Sequence, residues 1–251
     1  MWFKKRSFLI VILLLIAIHY SMKLTEFDLA KFRDFSNMID FLTQWFPMDF
    51  STFPRMIEDS IETLAMAFLG SFFGLLFALP LSFLAARNTT PFPPLLHATR
   101  LFLSFVRSIP EIVFGLVLLT ALGLGPFPAV LAIMFHNIGV LGKLISELIE
   151  SADPGPQEAM KAVGAKNGFG SLFSILPQIW PNVLSQYFYR FEVAIRTSLI
   201  LGFIGGGGIG QRLFNDFKTF QYSAVSLDVL LIMIIVVIVD LIGGIIRNRI
   251  I

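Results

Sequence analysis

Long apolar runs recur along this 251-residue chain, and they point to a protein that crosses a membrane several times. A helix needs about 20 predominantly apolar residues to cross the bilayer core. Runs of that order occupy residues 61–86, 105–122, 128–149, 183–204 and 227–246. A shorter one at 8–18 follows Lys4, Lys5 and Arg6, which is the form of a signal peptide; no small-x-small cleavage site follows it, and the favoured reading is an uncleaved anchor over 7–22. Composition agrees: 56% of residues are hydrophobic and 14% charged, where a soluble domain averages about 25% charged. The expected fold is all-α and polytopic, with about six transmembrane helices. The chain has no Cys, which excludes disulfides, iron–sulfur clusters and thiol chemistry. His19, His97 and His136 show no metal-ligand spacing, so no metal or other cofactor is implied. A net charge of +2 without a basic patch gives no reason to expect nucleic acid.

The chain divides into an N-terminal anchor at 1–22, an external segment at 23–59 and a membrane core at 60–249. In the external segment Phe32, Phe35, Met38, Ile39, Leu42, Trp45 and Phe46 recur at helical spacing, with Lys31, Arg33, Asp34 and Asp40 between them. This predicts an amphipathic helix on the membrane face or against the other spans. In the first core span Gly70, Gly74 and Ala78 stand four apart and permit close helix packing, and Pro80 should kink it. Threading from an inside N-terminus puts nine basic residues inside and six outside, with both termini cytoplasmic.

Ionisable groups within spans are the informative polar residues, because a charge at mid-membrane costs about 2.5–3.5 kcal/mol on insertion scales. Arg107 and Glu111, Lys143 and Glu147, and Glu192 and Arg196 are each four apart. Each can form a self-neutralising pair on one helix face or contribute to a polar pathway. Ser108, His136 and Asn137 can add hydrogen bonds there, and Asp240 reads as a partnered residue at a helix interface. Gly205, Gly206, Gly207 and Gly208 cannot hold a regular helix well. They read either as an outer loop or as a re-entrant element whose free N–H groups could hold an anion. The sequence has no GxxxxGK[ST], no HExxH and no GxSxG, so the chain is not expected to be an enzyme.

The longest break in the second half is 151–181, SADPGPQEAMKAVGAKNGFGSLFSILPQIWP. Pro154, Gly155 and Pro156 open it, and Pro177 and Pro181 close it. It reads as two short helices, 157–163 and 169–176, bent at Gly164 and lying inside the cell. A passive connector could be far shorter. Glu158-Ala159-Met160, three residues, Gly164, then Leu176-Pro177 resembles the EAA loop of ABC-importer membrane subunits. Met160 stands where that pattern has its second Ala, and Ser174 where it has Ile. The blocks at 62–67, 78–88, 107–111, 189–196 and 201–210 look like the phosphonate/phosphite-type permease.

The resemblance implies a type I, methionine-importer-like permease core in the cell's inner membrane. Two copies would pair. Each would dock its loop into a cytoplasmic ATPase subunit through Glu158, Ala159, Met160, Gly164, Leu176 and Pro177. An extracytoplasmic solute-binding protein would deliver the cargo. Arg107, Ser108, Glu111, His136, Asn137, Arg196 and residues 205–208 are the candidates for the pathway of an oxyanion. Another oxyanion, a metal chelate or an amino acid as cargo, a secondary transporter, or a membrane scaffold are the competing readings.

Overall fold

The computed structural model describes residues 5–30 and 35–250, and its contacts fall into two units, 1–46 and 47–251. In the first unit α1 (Lys5–Leu24) spans 20 residues, which at 1.5 Å each is about 30 Å, the thickness of the bilayer core. The helix runs on through His19 to Leu24, past the end of the apolar run. α2 (Phe35–Thr43) carries Phe35, Met38, Ile39 and Leu42 at helical spacing. It is shorter than the amphipathic helix predicted for 32–46. Trp45 and Phe46 lie in the turn that closes it, their N–H groups bonding back to Leu42 and Thr43. Lys4, Lys31, Phe32, Arg33 and Asp34 lie outside the described residues.

The second unit is built on α3 (Phe53–Ala85), α6 (Pro126–Ser151) and α8 (Asn167–Phe203). Between them lie α4 (Pro93–Ser108), α5 (Glu111–Leu122) and α7 (Pro154–Ala162), with α9 (Gly208–Lys218) and α10 (Tyr222–Ile250) after them. Helices in lipid gain little from hiding apolar surface from one another, so close packing has to hold them. The small-residue stripe supplies it. A Cβ on Gly70 would come within 2.6 Å of the Ile133 side chain, and one on Gly74 within 2.6 Å of Asn137. α3 and α6 therefore meet at closer range than any larger residue would allow.

The bundle has two distinct ends. At one, the ends of α3 and α6 are tied together: Asn88 Nδ2 donates to the Ile149 carbonyl at 2.7 Å, and Glu150 accepts from the Arg87 N–H and from Arg100. The last carbonyls of α3 have no intrahelical donor. Thr89 and Thr90 hydroxyls donate to Phe83, and Arg100 Nε donates to Ala85 at 2.8 Å. At the other end the start of α3 meets α9, where the Ile209 N–H donates to Thr63 Oγ1 at 3.0 Å.

Two expectations need correction. The predicted span at 105–122 is not one helix: α4 and α5 meet at an 84° bend. Pro110 is the cause, because a residue before proline is pushed out of the helical region, and Ile109 sits at φ −85°, ψ 121°. Five helices are long and apolar enough to cross a membrane, or six if the bent pair is one span. The second short helix predicted at 169–176 is instead the start of the 37-residue α8, which runs straight through Pro177 and Pro181. Proline inside a helix in a membrane protein is tolerated when neighbouring helices compensate. Here the flanking residues Ile175, Ile179 and Val183 are buried in one core with Ile145 and Ile149, and that packing holds the helix across both prolines.

Candidate functional site: a capped short helix and a buried charge network

α7 is a separate short helix with both ends defined by local chemistry. Asp153 caps its start, accepting the Gly155 N–H at 3.0 Å. Gly164 ends it in the left-handed region, φ +81°, with its own N–H bonding to Lys161 and that of Ala165 to Met160. That pair of bonds is a glycine-terminated helix cap. One face of α7 is anchored: Gln157 is buried and donates to the Asn88 carbonyl at 2.9 Å and to Ser171 Oγ at 3.0 Å. The other face is open, with Glu158 and Ala159 exposed. Met160, bulkier than the Ala of the pattern, lies over Gly170, where a Cβ would be 3.6 Å from its own. Ser174 is buried and bonded to its own helix, while Ile175 beside it enters the core with Ile145 and Ile149. Leu176 and Pro177 lie on α8, away from the turn at Gly164; Leu176 packs against that same core.

The second constellation lies at the bend. Gly139, halfway along α6, packs on the backbone of Arg107, which sets the bend near mid-depth. Glu111, the first residue of α5, is the hub. Its carboxylate accepts from Arg190 Nη2 at 2.9 Å and from the Thr197 hydroxyl, and His136 Nε2 lies at 3.5 Å. Arg190 Nε also donates to Asn137 Oδ1 at 2.8 Å, and His136 Nδ1 bonds the Ile109 carbonyl at 3.1 Å. The helix dipole at the start of α5 favours a carboxylate there. The network thus joins α5, α6, α8 and the bend itself.

The structure redistributes the ion pairs read from sequence. Lys143 and Glu147 do pair along α6, at 3.1 Å. Arg107 and Glu111 do not, because Pro110 turns the chain between them, and Glu111 pairs with Arg190 instead. Glu192 and Arg196 each reach α10: Glu192 pairs with Arg247, and Arg196 holds both oxygens of Asp240 at 2.9 Å. Arg107 is exposed and has no ion-pair or hydrogen-bond partner among the described residues; Ser108 beside it is exposed and bonds only to Phe105. The four glycines form a tight turn between α8 and α9, with Gly205, Gly207 and Gly208 at positive φ. Their N–H groups are in use: Gly205 and Gly206 bond back to Gly202 and Leu201, and Gly207 bonds Gln211 Oε1 at 2.9 Å. In this conformation the turn has no free donors to offer an anion from those three residues.

Sequence reading missed two partners of Glu111 and one cluster. Arg190 and Thr197 are seven apart, two helical turns, so they share a face; that spacing was the available signal. Arg212 lies within reach of three carboxylates, Asp59 at 3.4 Å, Asp228 at 3.2 Å and Asp216 at 3.6 Å. Only Asp216, four residues on, was visible in the local spacing.

Comparison with known proteins decides the family. Residues 70–251 match the binding-protein-dependent transport system inner membrane component family. The chain belongs to that family. The permease is 38% identical over 203 residues to the phosphite transport system permease protein PtxC of Stutzerimonas stutzeri, covering 81% of this chain and 74% of that one. It is 33% identical over 246 residues to the putative phosphite transport system permease protein HtxC of the same organism, covering 97% and 87%. An inward-facing structure of the MetNI methionine ABC transporter superposes with a TM-score of 0.70 at 20% identity, covering 81% of the permease and 100% of that chain. That likeness confirms the type I importer fold. The family's role is transport, which fits a chain expected not to be an enzyme.

Proposed function

We propose that the permease carries small phosphorus oxyanions, phosphite or phosphonate, across the inner membrane. Two copies pair around the pathway, a cytoplasmic ATPase seats on α7, and a solute-binding protein delivers the cargo at the opposite face. Both termini lie in the cytoplasm, residues 1–22 anchor the chain, and 23–59 lie outside. The observation that carries the cargo reading is Arg107. It is a cation at mid-depth, exposed, without a partner among the described residues, and next to an exposed hydroxyl. A charge within a span is expected to be paired or to face water. Glu111 nearby does not cancel it, since that carboxylate is engaged by Arg190 and Thr197. A guanidinium of this kind suits an oxyanion, which it can hold through charge-assisted hydrogen bonds. The names of PtxC and HtxC point to the same cargo.

Pairing of two copies is supported by Arg196 and Asp240. Their side chains are 52% and 44% exposed within the spanning part of α8 and α10, and lipid is a poor surround for them. On this reading Glu111, His136 and Asn137 hold the shape of the pathway, Arg107 and Ser108 face it, and residues 205–208 close its outer end. Cells expressing the permease with its ATPase and binding protein should accumulate labelled phosphite or a phosphonate. Uptake of an amino acid or a metal chelate instead, with no phosphite or phosphonate uptake, would leave the transport class standing and overturn the cargo.

A further inference from the structure

Two hollows meet beside the loop at 86–91, where α3, α4, α7 and the start of α8 come together. One is polar, about 150 Å³, with Arg87, Asn88, Gln157 and Lys161 in its wall. The other is apolar, about 490 Å³, walled by Phe83, Leu84, Phe92, Leu95 and Leu172. They adjoin, with Thr89, Thr90, Pro91 and Ser171 in the walls of both.

The polar half has the chemistry of an anion site. The Arg87 and Lys161 side chains have no ion-pair or hydrogen-bond partner among the described residues. Two acids on the neighbouring elements are engaged elsewhere: Glu150 accepts from Arg100 and the Arg87 backbone, and Asp153 caps α7, while Glu158, one turn before Lys161, is exposed. Ser171 is 4% exposed and accepts from Gln157, itself 6% exposed, which leaves the serine proton without an acceptor among the described residues. Two free cations and a buried hydroxyl proton thus converge on one small space. Directly beside it, Leu84, Leu95 and Leu172 remain 38%, 41% and 38% exposed along an apolar trough.

We propose that this is a site for one anionic phospholipid, its phosphate between Arg87 and Lys161 and an acyl chain along the apolar trough. A free anion would use only the polar half; the apolar trough directly beside it is what selects a lipid. Basic side chains at the end of a helix bundle beside an apolar cleft are suited to an anionic headgroup. Such a lipid would bridge the α3–α4 end to α7, the same element that Gln157 already ties to Asn88. The inference needs only that the chain spans a membrane, and is independent of the cargo.

The test uses the full chain in detergent with equal amounts of phosphatidylglycerol and phosphatidylethanolamine, with bound lipid counted by native mass spectrometry. Phosphatidylglycerol should be retained preferentially, and Arg87→Gln and Lys161→Gln should each lower its affinity on the order of fivefold. Arg87→Lys should keep most of it. Leu172→Ser should weaken retention while the basic pair is intact. Arg249→Gln, at the end of α10, should change nothing, and inorganic phosphate should not displace the lipid. Equal retention of the two lipids, an unchanged affinity in the Arg87→Gln/Lys161→Gln variant, an equal loss in Arg249→Gln, or displacement by inorganic phosphate would each overturn the proposal.

Discussion

α7 and the bend at Ile109–Pro110 are both places where a helical run is interrupted, yet they are held in opposite ways. α7 is fixed by caps and an amide bond, with no ion pair among the described residues: Asp153 at its start, Gly164 at its end and Gln157 on its inner face. Its Glu158 is left exposed. At the bend the carboxylate is the part that is held, by Arg190 and Thr197 from α8 and by His136 from α6. One element leaves a charged face open, and the other holds its charge inside the bundle. Charges do the internal work because a charge in a low-dielectric interior is costly unless paired, so a satisfied pair strongly disfavours any arrangement that breaks it.

The contrast makes Glu111 the most sensitive position. Glu111→Ala leaves Arg190 buried with half its partners and should cost about 3–5 kcal/mol, read as a fall in thermal stability in detergent. Replacing both, Glu111→Leu with Arg190→Met, should recover most of that loss; if it does not, the pair is more than a mutual charge satisfaction. Next is Gly164→Val. A β-branched residue at φ +81° costs about 1–3 kcal/mol locally and should abolish co-purification of the ATPase with a chain that still folds. Asp153→Ala removes a cap worth about 1 kcal/mol and should speed amide exchange in the first turn of α7 without touching that at the bend. Lys143→Gln breaks a partly exposed pair along one helix and should change stability by only about 0.3–0.5 kcal/mol. An equal effect of Asp153→Ala and Glu111→Ala would erase the distinction between the two elements.

The same contrast explains what the sequence allowed to be read. The end of α7 was legible because Gly164 acts on the backbone within a few residues; its start was not, because Pro154, Gly155 and Pro156 read as breakers ahead of a helix at 157, whereas they form its first turn behind the Asp153 cap. The stripe of Gly70, Gly74 and Ala78 was legible because small residues at helical spacing have few other uses in a span. The course of α8 through Pro177 and Pro181 was not, because a proline reads locally as a stop and is overruled here by the packing of Ile175, Ile179 and Val183 in the core. Ion pairs were the least legible. Four-residue spacing permits a pair and does not assign one. Lys143 had no competing carboxylate among the described residues and took Glu147. Glu192 and Arg196 found Arg247 and Asp240 on α10 instead. The bend could have been read from Ile109-Pro110 but was hidden by the apolar text on both sides. Its separation of Arg107 from Glu111 is what leaves one cation free.

That free cation is where the account is most exposed. The direct measurement is uptake of labelled phosphite by cells carrying the permease with its ATPase and binding protein, comparing Arg107→Gln and Arg107→Lys with the unaltered chain. The account predicts uptake by the unaltered chain, a loss of about tenfold or more in Arg107→Gln, and partial retention in Arg107→Lys, with ATPase association unchanged in all three. Phosphite uptake by Arg107→Gln at the level of the unaltered chain would contradict it.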